Sequence, residues 1–295
     1  MNILLTGKNG QAGFELQRLL SPLGQVIAVG HAECDLADEA AIRALVRRVK
    51  PDVIVNPAAY TAVDRAETEQ ALAYAVNARA PGILGEEAAA LGALVVHYST
   101  DYVFDGAKDG FYRESDIPNP QSVYGASKLA GEQALQASGA RHLIFRTSWV
   151  VGAHGNNFAK TMLRLAAERT SLNVVADQFG APTSASVLAD VTAQVIRKAT
   201  GQWQGDFPYG IYHLVSGGAT NWHEYACHVI ERARIAGRPV TVEPSAIYPI
   251  ETREYSTPAK RPANSRLDTL KIRQTFGVDL PHWLEGVDHI LKQVL

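Results

Sequence analysis

Short apolar runs alternate with longer stretches of helical period through the first half of the chain. Ile3–Leu5, Val26–Val29, Val53–Val55, Leu94–Tyr98 and Leu143–Phe145 are of strand length and rich in Val, Ile and Leu. Polar residues or Gly/Pro signals bound each run. Between them lie segments such as Asp38 to Lys50, where Ile42, Leu45, Val46 and Val49 recur at helical spacing and Pro51 stops the helix. Nearly continuous apolar strands joined by helical crossovers demand a parallel sheet covered on both faces. The pattern predicts an α/β fold with a doubly wound parallel sheet of the Rossmann type. Ligands of such sheets sit beyond the carboxyl ends of the strands, where the strand order reverses.

After about Trp149 the rhythm changes. A helical pattern spans Phe158 to Arg169, a strand is expected over Leu172 to Val175, and a helix over Ala185 to Ala199. Loops rich in Gly, Pro and aromatics follow from Gly201 to Tyr212. Five prolines between Pro239 and Pro262 predict an irregular stretch, and a last helical pattern runs from Trp283 to Leu295. The expected division is a dinucleotide-binding domain over 1–150, with parts of 172–200. A smaller α/β substrate domain, interleaved with the first, is expected mainly over 151–295.

Composition narrows the class. Lys plus Arg is 28 and Asp plus Glu is 30, for a net charge of -2, which argues against a nucleic-acid partner. Hydrophobic residues are 46% and charged residues 20%, an ordinary globular balance. The two cysteines, Cys34 and Cys227, cannot form a disulfide framework and fit a reducing compartment. The start, MNILLTGKNG, does not read as a signal peptide, and no apolar stretch approaches a membrane span. A cytoplasmic protein with no membrane partner is expected.

Gly7, Gly10 and Gly13 form G-x-x-G-x-x-G directly after the first strand, opening a helix near Gln11. One glycine permits the tight turn, another lets the backbone approach a pyrophosphate, and the third allows close helix–strand packing. The helix N-terminus supplies unpaired N–H groups and partial positive charge. The plainer alternative is a glycine-rich turn without a ligand. Gly82 and Gly85 have similar spacing but no strand before them, and read as packing glycines. A carboxylate at the end of the second strand would hold the ribose 2′-hydroxyl of NAD and repel the 2′-phosphate of NADP. None stands at 29–31, whereas Glu33 and Asp35 come slightly later. NADPH is therefore the expected cofactor, with NADH accepted, and His31 or Lys8 near the phosphate. A solvated loop histidine is the bland reading of His31.

Tyr124 and Lys128 stand four apart, on one face of a predicted helix. A free phenol has a pKa near 10. A nearby ammonium lowers it, so that Tyr can exchange a proton beside a carbonyl or hydroxyl. The lysine can also hold ribose hydroxyls. Thr100 ends the strand before this helix, at the crevice, where its hydroxyl can donate to a substrate carbonyl. By itself each signal has a structural explanation: an exposed helix pair, or a threonine finishing a strand. Together they form a candidate catalytic set of Thr100, Tyr124 and Lys128.

The G-x-x-G-x-x-G spacing and this set resemble the extended, sugar-nucleotide branch of the short-chain dehydrogenase/reductase superfamily. Asn56–Asp64, His97–Phe104, Phe145–Val150, Asn156–Phe158, Asp177–Thr183 and Arg261–Ser265 narrow the resemblance to the dTDP-4-dehydrorhamnose reductase family, across essentially the whole chain. The resemblance implies reduction of the 4-keto group of a dTDP-linked 4-keto-6-deoxyhexose, dTDP-6-deoxy-L-lyxo-4-hexulose, to dTDP-L-rhamnose. Tyr124 would give the proton, Lys128 would position the cofactor and Thr100 would orient the carbonyl. It adds Gln11, the adenine-contacting pair Asp35–Leu36, and Ala58, Ala59 and Tyr60 to the cofactor site. Val63, Asp101, Tyr102, Phe104 and Trp149 would surround the sugar, and Arg261, with Lys260 or Arg253, would meet the diphosphate. A magnesium ion at a homodimer contact is a further implication. Glu15 is one position for its ligand, a helix-surface glutamate being the simpler reading.

Related dehydratases place Asp-Glu after the threonine. Here Asp101 and Tyr102 follow, so the second acid is missing. An epimerase of the same branch, or a non-catalytic NADP-binding regulatory subunit on the same fold, remain the alternatives; the intact Thr100–Tyr124–Lys128 set argues against the regulator. His223 and His228 stand five apart in a near match to H-E-x-x-H, which turns them to different faces of a helix and away from a shared zinc.

Overall fold

A computed structural model describes residues 1–201 and 203–295. Gln202, inside the stretch expected to be loop, lies outside the described residues. Five parallel strands come from the predicted runs: β1 (Asn2–Leu5), β2 (Gln25–Ala28), β3 (Val53–Asn56), β4 (Leu94–Thr100) and β5 (Arg141–Thr147). A sixth, Gly210–His213, pairs in parallel with β5, so the order across the sheet is β2-β1-β3-β4-β5 and then Gly210–His213. The chain runs outward from β1 to β2 and then crosses back over β1 to β3, which places the switch between β1 and β3.

The helices are α1 (Gln11–Leu20), α2 (Glu39–Val49), α3 (Val63–Ala66), α4 (Gln70–Tyr74), α5 (Ala80–Leu91), α6 (Val123–Ala137), α7 (Phe158–Glu168), α8 (Ala185–Thr200), α9 (Trp222–Ile235), α10 (Leu270–Phe276) and α11 (Trp283–Val294). Strand residues alternate between two apolar layers. Ile3, Leu5, Val53, Val55 and Val96 pack with Leu16 and Leu20 of α1 and Leu188, Val191 and Val195 of α8. Leu4, Ile54 and Val95 pack with Ile42 and Val46 of α2, Leu84 of α5 and Leu135 of α6. This two-sided burial is why the strands read as unbroken apolar runs. A third cluster joins Met162 of α7, Tyr225 and Val229 of α9, and Val287 and Ile290 of α11 to Leu172 and Ile247.

Local signals set the boundaries. Asp38 caps α2 by accepting from the Ala41 N–H, and Lys50 closes it in the left-handed region at φ 47°. Ser122 caps α6 by accepting from the Gly125 N–H. Gly82 and Gly85 pack as expected: a Cβ at Gly85 would lie 2.3 Å from the Ser138 hydroxyl at the end of α6.

Two expectations are corrected. The stretch from Gly201 to Tyr212 contains the start of the sixth strand, whose four residues begin with a glycine at φ 133°. The proline-rich region holds a strand, Ile247–Ile250, paired in parallel with Leu172–Val175. Pro249 is tolerated because this sheet has two strands, and a proline fits where no ladder bond is needed.

Candidate active site

A cavity of about 840 Å³ opens at the switch between β1 and β3. The turn after β1 forms its floor. Gly7 adopts φ +61°, and a Cβ there would come within 3.0 Å of Ala58 in the loop after β3. Gly10 donates to the Gly7 carbonyl at 2.9 Å and begins α1. A Cβ on Gly13 would meet the Gly7 carbonyl at 2.0 Å. The first turn of α1 carries no acidic residue and no side-chain cap, so its N–H groups face the cavity unspent. This floor has the shape and polarity of a pyrophosphate cradle.

Gly7, Gly10, Gln11, Gly13, His31, Asp35, Leu36, Ala58, Ala59, Tyr60, Tyr124 and Lys128 all line this cavity. Gln11 also reaches sideways, donating to the Val150 carbonyl at 3.3 Å and accepting from Asn157 at 2.9 Å. At the far end, Lys8 does not line the cavity. Its ammonium lies 2.5 Å from Glu33, whose second oxygen accepts the Gly30 N–H at 2.8 Å. The Lys8 hydrogen bond, then that of Gly30, holds the Glu33 carboxyl below its usual range. A carboxylate therefore does stand at the end of β2, folded back from three residues further on. Counting positions along the strand missed it.

Lys128 is 2% exposed. Its ammonium donates to the Tyr98 carbonyl at 2.6 Å and lies 3.3 Å from His97 Nε2. Burial pulls it down to about 8. Burial and then the Lys128 charge push His97 well below its normal value, so the imidazole is neutral. His97 Nδ1 lies 3.1 Å from Asn56, which accepts from the Thr6 hydroxyl. Asn77, in a π-turn over Ala75–Arg79, accepts the Tyr60 N–H at 2.8 Å and donates to the Tyr60 carbonyl and Ser127. It thereby ties a cavity-lining loop to α6 beside Lys128. Sequence reasoning missed His97, Asn56 and Asn77. Their signal was available: polar side chains in or beside apolar runs, which must be paired when buried.

The Tyr124 phenol corrects an expectation. Burial raises its pKa, with Asp101 and Tyr102 adding to the rise and the hydrogen bond to Thr100 opposing it. Lys128 is not among the groups that shift it; its ammonium is held by the Tyr98 carbonyl beside His97. Thr100 is 5% exposed and lies behind the cavity wall.

Of the residues expected around the sugar, Tyr102 and Asp101 lie next to this wall. Tyr102 stands edge-on to Tyr124, with ring centroids 5.4 Å apart. Its hydroxyl accepts from Arg261 at 3.1 Å, and Arg261 also pairs with Asp64 at 2.7 Å, beside Val63 at the start of α3. Asp101 is buried under Thr100, which donates to it at 3.0 Å. Trp149 has φ 49°, unusual for a bulky residue. Its ring stacks on Trp222 at 3.6 Å, and Gly180 makes room for it. Lys260 and Arg253 turn elsewhere, to Gln121 and Glu251. Phe104 does not belong to this group. It is 1% exposed, stacked on Tyr112 at 4.3 Å with the Arg146 guanidinium over its ring, so it is core.

Glu15 is 9% exposed rather than a free surface residue, and lies 3.6 Å from Arg18. Among the described residues no three His, Cys, Asp or Glu side chains cluster as a metal site would require. His223 meets the Ile247 carbonyl and His228 meets Asp288, so the two histidines diverge. Burial pushes up the thiols of Cys34 and Cys227. Among the described residues no helix is long and apolar enough to cross a membrane.

The family model described as the RmlD substrate binding domain matches residues 1–295. The dTDP-4-dehydrorhamnose reductase of Salmonella typhimurium is 50% identical over 298 aligned residues, covering 100% of this chain and 98% of that protein. The chain belongs to the dTDP-4-dehydrorhamnose reductase family. The family resemblance extends to solved structures. The Clostridium acetobutylicum dTDP-4-dehydrorhamnose reductase superposes with a TM-score of 0.90 at 37% identity, over 99% of each chain. The Bacillus anthracis dTDP-4-dehydrorhamnose reductase, solved in complex with NADP, gives 0.90 at 34% identity, again over 99% of each chain.

Proposed function

We propose that this member of the dTDP-4-dehydrorhamnose reductase family reduces the 4-keto group of dTDP-6-deoxy-L-lyxo-4-hexulose to give dTDP-L-rhamnose, using NADPH, as the NADP-bound Bacillus anthracis relative supports, and accepting NADH, as Glu33 at the end of β2 supports. The observation that carries the proposal is one cavity that joins the Gly7–Gly13 cradle to Tyr124 and Lys128. The glycine positions that a Cβ would fill, and the unspent N–H groups of α1, fit a dinucleotide. The reduced nicotinamide, when bound, supplies the hydride.

The chain's own residues do the rest. A raised Tyr124 pKa keeps the phenol protonated at neutral pH, the state a proton donor to a new alkoxide needs. Lys128 remains largely cationic at neutral pH, fixed by the Tyr98 carbonyl and placed for ribose hydroxyls. Arg261 and Tyr102 form a polar wall suited to the substrate diphosphate, with Asp64 holding the guanidinium until it is needed. Trp149 offers an apolar face to the sugar. The third apolar cluster carries Trp149 at its edge, and we assign it to the sugar-nucleotide side of the molecule.

The test mixes protein, NADPH and the dTDP-linked keto sugar and follows absorbance of the reduced nicotinamide. Stoichiometric oxidation is expected, with Tyr124→Phe slower by roughly 100-fold or more, as for loss of a positioned acid. Tight NADPH binding without oxidation would favour a regulatory subunit. Interconversion of sugars without net NADPH consumption would favour an epimerase.

A further inference from the structure

The chain from Gly152 to Asn157 connects the short strand Val150–Val151 to α7 and lies against the glycine turn after β1. Both of its ends are fastened to Gln11, the residue that opens α1. At the start, Gln11 donates to the Val150 carbonyl at 3.3 Å. At the finish, Asn157 donates to Gln11 Oε1 at 2.9 Å and to the Gly152 carbonyl at 2.8 Å. Gly152 and Gly155 let the loop close on the Gln11 stem, since a Cβ on either would lie 3.3 Å from it. Lys160 of α7 donates to the carbonyls of Ala153 and Gly155, at 2.5 and 2.8 Å. Two acceptors that would repel an anion are thereby occupied. Gly155 and Asn156 line the same cavity as Gly7, Gly10 and Gly13.

Between these fastenings, His154 Nε2 lies 3.1 Å from the Asn9 carbonyl. A carbonyl only accepts, so this ring nitrogen carries a proton and donates it. The other side of the same peptide is also taken, because the Gly10 N–H donates to the Gly7 carbonyl at 2.9 Å. A trans peptide is planar, with its C=O and N–H pointing opposite ways. The Asn9–Gly10 plane is therefore gripped from both sides, by the turn itself and by His154. The His154 ring also stacks on Phe14 of α1, with centroids 4.5 Å apart and planes 8° from parallel. Phe14 is 49% exposed, so core packing does not account for an aromatic there.

We propose that His154 is a positioning residue for the cofactor: it braces the Asn9–Gly10 peptide of the cradle from outside and latches the Gly152–Asn157 loop as a strap over the dinucleotide's diphosphate. The inference rests on the dinucleotide reading of this cavity. A floor made of backbone has no side chain to stiffen it, and Gly10 leaves its peptide free to rotate. Rotation would turn a C=O where the diphosphate needs an N–H. The brace removes that freedom before the cofactor arrives. The strap lies along the way out, so its latch governs how long NADPH stays bound.

Stopped-flow fluorescence measures NADPH dissociation from the wild type, His154→Ala and His154→Gln. Loss of one hydrogen bond and one ring stack predicts release roughly tenfold faster from His154→Ala. The KM for NADPH rises with it, while the KM for the keto sugar stays unchanged. Gln keeps an N–H donor and is expected to restore most of the slower release. Because His154 is exposed, the denaturant midpoint of unfolding is expected to stay put in both variants. An unchanged NADPH release rate in His154→Ala would overturn the proposal while leaving the reductase reading intact. So would an equal rise in both KM values, or a lowered unfolding midpoint alongside faster release, the marks of a general structural role. Wild-type protein that does not bind NADPH would overturn the dinucleotide reading itself, and the role of His154 with it.

Discussion

On the cofactor side, the Gly7–Gly13 turn and the first turn of α1 present backbone. Their shape depends on side chains that are missing, at positions where a Cβ would strike Ala58 or the Gly7 carbonyl. On the side we assign to the sugar, Tyr102 and Arg261 present side chains, brought together from segments far apart and held by neighbours such as Asp64, and Trp149 presents one that is held by Trp222. One wall is local in sequence and is fixed once β1 and α1 pack. The other exists only when several loops have been placed by the whole fold. A backbone wall fails abruptly when crowded, whereas a side-chain wall can lose one contact at a time.

Four substitutions probe this contrast, from the largest expected effect to the smallest. The first strikes the element both walls share. Arg146 of β5 pairs with Glu132 of α6 at 2.8 and 2.6 Å, and the two residues are 2% and 0% exposed. Arg146→Met leaves a buried carboxylate without its partner, at a cost of about 3–5 kcal/mol. Denaturant unfolding is expected to show that loss, with activity falling as α6 loosens. Gly13→Ala confines damage to the backbone wall. Overpacking against Gly7 costs about 1–3 kcal/mol, and isothermal titration should find NADPH binding severely weakened. Preserved NADPH affinity in this variant would break the contrast.

Arg261→Gln addresses the side-chain wall alone. Loss of a charged hydrogen bond to the diphosphate predicts a KM for the sugar nucleotide higher by about tenfold. The NADPH dissociation constant should stay put; if it moves as much, the two walls are not separable. The smallest effect is expected at the rim. Glu33→Gln removes the negative charge facing Lys8 and Gly30 and releases the Lys8 ammonium. The ratio of NADPH to NADH affinity should rise by about threefold, a modest change because the pair is solvent-accessible. Fluorescence titration with each cofactor reads it directly, and an unchanged or falling ratio would remove Glu33 from cofactor discrimination.

The same contrast explains what was legible in the sequence. The five strands of the first half, the strand Leu172–Val175 and the glycine turn were visible because apolar period and glycine spacing are local properties. Tyr124 and Lys128 were visible because helix geometry ties positions four apart. The Gly210–His213 strand was hidden: its residues are few, and its place is decided by β5, far away in sequence. Ile247–Ile250 was hidden for a similar reason, since its proline argued against a strand that a two-stranded pairing tolerates. Phe104 was placed at the sugar by the family resemblance, yet the turn after β4 directs it into the Tyr112 and Arg146 packing. Glu33 returns to the end of β2 through a turn that no spacing rule marks.

The buried polar row beneath Lys128 has a consequence for how the sheet assembles. Thr6 follows β1, Asn56 ends β3 and His97 lies midway along β4, three adjacent strands, on the side covered by α6, each joined to the next. Asn56 and His97 are directly paired across the β3–β4 ladder. Aliphatic runs such as Val53–Val55 and Leu94–Val96 would tolerate a shifted alignment, because Val and Leu fit either layer. A slip of one residue would turn a member of the row into the opposite layer, among Leu16, Leu188 and Val191. There its polar atoms would go unmatched, costing about 1–3 kcal/mol for each group. The row thus works as a key for strand alignment, and Lys128 comes into place when the key fits.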